Sequence, residues 1–439
     1  MSFEQPSFST EKHEAFDDKW YERFEKSGSF SDYSYLNGEK NFRENQKNKF
    51  ISGEIENPSL DYPDLETFDF DEKETALLQL KNEIIAEEKN KVVSQVYRWK
   101  INEKLAELRM LKKTKSGDDR NVARYSKFIY GQPEKEIYEY TLSQLKTIVD
   151  QKIFSANSEI NSAAKRINKE LFEAFMNNES TINFGNKLSK VEVDDKSEYT
   201  AEEIKTAFES ALEAHKLKNW EVIIEKEGKI KAINVNQEKK KVFIPEKRKL
   251  KALELQTLIA HEIETHVLRR ENGERSKLKI LGLGLDRYLK GEEGIATYKE
   301  QTIKGAEEFS GLDGHLAISL AAGLDGKKRN FRQVFEILKD YFLITSKKEG
   351  AEVLSFAQIS AWNRCVRTFR GTTCQTPGAC LTRDIVYREG NIGIWDVAKS
   401  NPEEIKRFSV GKYDPTNPRH IWILEQLGIN DADLEDLEK

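Results

Sequence analysis

The stretch Leu258-Ile259-Ala260-His261-Glu262-Ile263-Glu264-Thr265-His266 places two histidines five residues apart at the end of an apolar run. Imidazole is a favoured zinc ligand, and a hydrolytic zinc keeps one coordination position open. Two histidines and one carboxylate supply three ligands and leave the fourth position for water. Glu262, next to the first histidine, is placed to take a proton from a water attacking a carbonyl. In HExxH helices the two histidines are four apart and share a face. Here the pattern is HExxxH, and in a regular α-helix positions i and i+5 diverge by about 140°. A π-type turn, with its i to i+5 hydrogen bond, brings such residues onto one side, and these turns favour functional sites. The spacing therefore predicts a widened turn between His261 and His266. The bland alternative is a pair of surface histidines in local ion pairs. It has only six histidines in the chain to draw on.

A third ligand is expected from a nearby helix. Gly291-Glu292-Glu293-Gly294-Ile295-Ala296 offers two adjacent carboxylates at a predicted helix start, with a glycine that permits close approach to the histidine helix. Spacing does not choose between Glu292 and Glu293. An acidic first turn favouring the helix macrodipole would look the same.

Upstream, 221–225, 230–235 and 241–245 are short and rich in β-branched residues, separated by Glu227-Gly228 and Asn236-Gln237-Glu238. They read as a small antiparallel meander. Apolar residues at three- and four-residue steps predict helices over about 72–111, 134–178 and 200–217, the last capped by Thr200. Beyond Gly291 the chain is again mainly helical. The fold class is α+β and predominantly helical, with a small antiparallel sheet beside a zincin-like helix carrying HExxxH.

The 439 residues suffice for a sizeable core, and 33% are charged against 38% hydrophobic. A net charge of -5 gives no basic surface for nucleic acid. No apolar run reaches the roughly 18 residues that a membrane span needs. Met1-Ser2-Phe3-Glu4-Gln5-Pro6 lacks the features of a secretory signal, so a cytoplasmic location is expected. Cys365, Cys374 and Cys380 match neither a disulfide framework nor a zinc-binding spacing and read as reduced thiols.

The pairing of HEIETH, the following Leu268-Arg269-Arg270 with Asn272-Gly273, and Glu292-Glu293-Gly294-Ile295-Ala296 resembles the microtubule-associated tyrosine carboxypeptidase family, whose bacterial relatives carry a QEGLA motif. A second block agrees: Arg367-Thr368-Phe369-Arg370-Gly371, then Leu381-Thr382-Arg383-Asp384-Ile385-Val386-Tyr387, is similar to the family's arginine-rich segment ending in FTKDxxY. Leu381 stands for Phe and Arg383 for Lys. The resemblance spans roughly residues 57 to 425.

It implies that Glu293 is the third ligand of one Zn2+ per chain, that Glu262 is the general base, and that a C-terminal aromatic residue is removed from a peptide or protein. An exopeptidase must bind a free carboxylate, for which arginine offers a planar fork of donors. Arg367, Arg370 and Arg383 are the candidates, and Tyr387 is a candidate donor to the oxyanion. A zinc endopeptidase or amidase, and a non-catalytic metal-containing binding protein, are the alternatives. The expected organisation is a flexible tail over 1–56, an extended arm and helical region over 57–217, and a zinc peptidase region over 218–430, with 57–430 one compact unit. Substrate, oligomeric state and the arginine that binds the carboxylate stay open.

Overall fold

Apolar residues at helical spacing, bounded by capping side chains, set most of the chain into helices. The computed structural model describes residues 14–173, 182, 198–226, 232–348, 350 and 352–430. Three helices come first: α1 (Asp18–Gly28), α2 (Asp32–Tyr35) and α3 (Lys40–Ile51). They are followed by α4 (Phe70–Glu87), α5 (Lys91–Lys115), α6 (Asp119–Tyr130), α7 (Lys135–Lys152), α8 (Ser158–Ile167) and α9 (Ala201–Ala214). The strands are β1 (Glu221–Glu225), β2 (Asn234–Asn236) and β3 (Lys241–Pro245). Next, α10 (Ala252–Leu258) runs straight into a π-helix (Ile259–Val267) and then α11 (Leu268–Arg275). The remainder is α12 (Ile280–Leu283), α13 (Leu289–Lys304), α14 (Leu312–Ala322), α15 (Phe331–Thr345), α16 (Glu352–Phe369), α17 (Ile385–Ser400), α18 (Glu404–Arg407) and α19 (Pro418–Gln426).

Local chemistry accounts for the boundaries. Thr200 and Glu203 form a reciprocal capping box at the start of α9. The helical stretch expected over 72–111 divides because Glu88 leaves the helix and Asn90 caps the next one through the amides of Val92 and Val93. No helix among the described residues is long and apolar enough to cross a membrane.

Two large apolar clusters fill the body. One joins α7, α8, α14, α15 and α16, and the other joins α1, α4, α5, α6 and α19. The flexible tail expected over 1–56 is corrected by them for residues 14–56. Trp20, Phe24 and Leu36 are buried in the cluster that holds Tyr97, and Phe50 is buried against Phe331, Phe335 and Trp362. Residues 1–13 lie outside the described residues. The extended arm does lie against the body: Leu60 is buried, and the Tyr62 hydroxyl accepts from the Gly371 amide at 2.6 Å.

The sheet is mixed, which corrects the antiparallel meander. Its order is β1-β3-β2, with β1 parallel and β2 antiparallel to β3. Burial explains the order. Val242 and Ile244 of β3 are fully buried, so this strand takes the centre, while the three-residue β2, flanked by asparagines, takes an edge. A third apolar cluster packs β1 and β3 against α9 and receives Ile263 and Val267 of the π-helix. The histidine segment is thus anchored on one face by apolar contacts.

Candidate metal centre

The widened turn expected between the histidines is present: all of Ile259–Val267 is π-helical. The Thr265 hydroxyl donates to the carbonyl of Ala260, five residues back, at 2.8 Å. The result brings the His261 and His266 rings to 4.9 Å between centroids. One donor atom from each of His261, His266 and Glu293 lies within 4.8 Å of the other two. Donors on a tetrahedral zinc, bonded at about 2.0–2.2 Å, stand roughly 3.4 Å apart. A small inward side-chain rotation therefore suffices for all three to reach one ion. Glu262 lies on the same π-helix, half-buried between the two histidines.

The outer nitrogens of both rings are held. His261 Nδ1 is 2.5 Å from Glu300 Oε1, and His266 Nδ1 is 2.8 Å from Glu292 Oε1. With the proton on Nδ1 shared with a carboxylate, Nε2 of each ring presents its lone pair, the arrangement that orients metal-binding histidines. Burial disfavours a charged His261. The hydrogen bond to Glu300 and the charges of Glu262, Glu293 and Glu300 outweigh it and push the imidazole up to about 9. A site that raises an imidazole in this way favours a positive charge, and its oxygen and nitrogen donors suit a divalent ion such as zinc.

Glu292 and Glu293 therefore both serve, in different ways. Glu293 faces the histidines as a donor, whereas Glu292 is buried behind His266 and pairs with Arg269. Burial would raise the Glu292 carboxyl, yet Arg269, Lys412 and His266 hold it well below the usual range. Arg269 also donates to the Tyr413 carbonyl at 2.8 Å, which ties the arginine of the Leu-Arg-Arg segment to the metal cluster through Glu292. The Gly294 contact differs from expectation: a Cβ there would stand 2.5 Å from the Gly390 carbonyl, so the close approach is to α17 and not to the histidine helix.

Glu300, Arg269 and Lys412 were not among the candidates read from sequence. Glu300 carried a usable signal, since it lies seven residues after Glu293 and so on the same face of α13.

The second block converges on the same region. Tyr387 sits on α17, and the Glu293 charge, followed by burial, pushes its hydroxyl up to about 12, leaving it a neutral donor at neutral pH. Arg367 stacks on the Tyr387 ring at 5.7 Å and makes a two-point pair with Asp384, with Nη2 at 2.9 Å from Oδ1. Arg383 pairs with Asp32 at 2.9 Å. Arg370 forms no side-chain hydrogen bond or ion pair among the described residues, although it is only 6% exposed. His315, fully buried, is held by Glu389 and Ser319 and has a structural place. The three thiols are buried and unpaired, and burial pushes Cys380 up to about 12.

The helical α+β body thus presents two histidines and a carboxylate from a π-helix and its neighbour, backed by an arginine-rich segment, and the family that this chain matches is one of peptide-bond hydrolases. The chain belongs to the microtubule-associated tyrosine carboxypeptidase family, whose model matches residues 47–196 and 187–431. Membership implies carboxypeptidase activity, with a peptide or protein as substrate. No curated protein and no solved structure matches the chain.

Proposed function

We propose that the chain is a zinc-dependent carboxypeptidase that removes a C-terminal aromatic residue, of the Tyr or Phe kind, from a peptide or protein. The observation that carries this reading is the convergence of His261, His266 and Glu293 within reach of one ion. A single zinc bound there would polarise the scissile carbonyl and acidify a water. Glu262 takes the proton from the attacking water and returns it to the leaving amine. Tyr387, a neutral hydroxyl electrostatically coupled to Glu293, donates to the developing oxyanion. Glu300 and Glu292 act as positioning residues that keep the two imidazoles turned inward. The arginine group of Arg367, Arg370 and Arg383 supplies the positive field that draws the substrate's terminal carboxylate. Three unpaired thiols accord with a cytoplasmic setting.

The test is mass spectrometry of a C-terminally varied peptide library incubated with the zinc-loaded protein, alongside metal analysis. Loss of one terminal aromatic residue from free-acid peptides, with amidated peptides untouched, is the expected result. Equal cleavage of both forms would point to an endopeptidase or amidase. Stoichiometric zinc without turnover would point to a non-catalytic protein.

A further inference from the structure

The arginine group is not uniformly engaged. Arg367 is bonded to Asp384 through Nε and Nη2, and Arg364 also donates to that carboxylate. Arg383 is engaged by Asp32, which the Tyr130 hydroxyl also contacts at 2.6 Å. Arg370 is buried beside these cations, its Nε has no partner, and no carboxylate pairs with it among the described residues. The Asp384 charge acts on it, but that carboxylate is already bonded by Arg364 and Arg367, so the buried cluster keeps an excess of positive charge. Such a cluster has room in its charge balance for one further anion.

What covers it comes from the beginning of the chain. Tyr33 of α2 has its ring 5.4 Å from the Arg370 guanidinium and 4.9 Å from that of Arg383. Its ring also lines a cleft of about 740 Å³ that runs between the first two helices and the β2–β3 turn. The same cleft is lined by Tyr288 and Lys290, within a turn or so of Glu293 on α13, and by Val386, the neighbour of Tyr387. Tyr33 and Asp32 precede residue 47, where the family match begins.

We propose that this N-terminal segment completes the substrate site, with Tyr33 and the uncommitted guanidinium of Arg370 forming the subsite for the departing residue's carboxylate and aromatic ring. Arg370 supplies the bidentate fork, and the Tyr33 ring supplies an apolar wall that prefers an aromatic partner. The inference rests on the carboxypeptidase reading, and a binding arm separates the two.

The full-length protein carrying Glu262→Gln is titrated with a fluorescent peptide ending in tyrosine, as free acid and as amide. The free acid is expected to bind more tightly, and Arg370→Gln to abolish that preference with a loss of about 10- to 100-fold. Because Arg370 is buried, Arg370→Lys serves as the second variant; it keeps the charge, loses the fork and is expected to show an intermediate affinity. Tyr33→Ala, at a site 43% exposed, is expected to raise KM for tyrosine-ended peptides about 3- to 10-fold with kcat nearly unchanged.

An acid-over-amide preference that survives Arg370→Gln in folded protein would overturn the proposal, even if hydrolysis stands. A gain of activity in Tyr33→Ala would also overturn it, since the segment would then be a plug. Free-acid binding through Arg370 in a protein that hydrolyses nothing would instead remove the carboxypeptidase reading and leave the subsite.

Discussion

The two histidines and the three arginines reach their places by opposite routes. His261 and His266 come from a single helix, and each has its own carboxylate at the outer nitrogen, half-buried Glu300 for His261 and buried Glu292 for His266. The arginines come from the end of α16 and the loop before α17; Asp384, which pairs with Arg367, lies in that same loop, Asp32, which pairs with Arg383, comes from α2, and Arg370 has no ion pair among the described residues. On the proposed reading, a donor set for an ion benefits from rigid support, whereas a receptor for a substrate keeps something unfilled. Completeness marks the first region and a deliberate vacancy in charge pairing marks the second.

The largest effect is expected from Glu262→Gln, the least perturbing change that removes the proposed base. It should leave zinc content at one per chain while kcat falls by about 10²- to 10⁴-fold. Normal turnover with normal metal would detach Glu262 from its role.

Next in size is the stability cost of unbalancing the arginine region. Arg383→Gln strands the buried Asp32 carboxylate and should destabilise the fold by roughly 3 kcal/mol. Urea unfolding measures this, and adding Asp32→Asn should restore part of the loss. A neutral outcome would mean that Tyr130 alone satisfies Asp32 and that Arg383 is free for substrate too.

The smallest effect is expected where the acceptor survives and only its charge is lost. Glu300→Gln keeps an acceptor for His261 but loses its charge, so zinc affinity should fall about 10- to 100-fold in competition with a chelator. If affinity were untouched, the contrast between a fully supported and an open region would lose half its basis.

The sequence already announced the π-turn, because no regular helix lets residues five apart meet. Spacing alone did not resolve the adjacent carboxylates, since both lie in one turn; the family resemblance pointed to Glu293, and packing sets Glu293 beside the two histidines and Glu292 behind His266. Strand content was visible in Val222, Val242 and Ile244. Pairing direction was not, because it depends on how the chain crosses from β1 to β2 and on which strand the core buries deepest. The first helices were hidden for a related reason. Trp20, Phe24 and Leu36 meet partners such as Tyr97 that lie far along the chain, so their spacing looked like scattered aromatics in a polar segment. Arg370 was legible as a candidate and illegible as the unpaired one, because pairing is a property of neighbours that sequence does not order.

The widened turn carries a further consequence for how the chain can change. Removing one residue between His261 and His266 would restore ordinary helical winding and leave the histidines four apart, again on a common side. The donors alone would tolerate that deletion. The flanks would tolerate it as well: the widened turn absorbs one extra residue at a smaller twist per residue, so a return to α winding would leave Leu255 in the apolar cluster it shares with Val267. The surplus residue is thus carried by the slower winding of Ile259–Val267, which spares both flanks any change in direction.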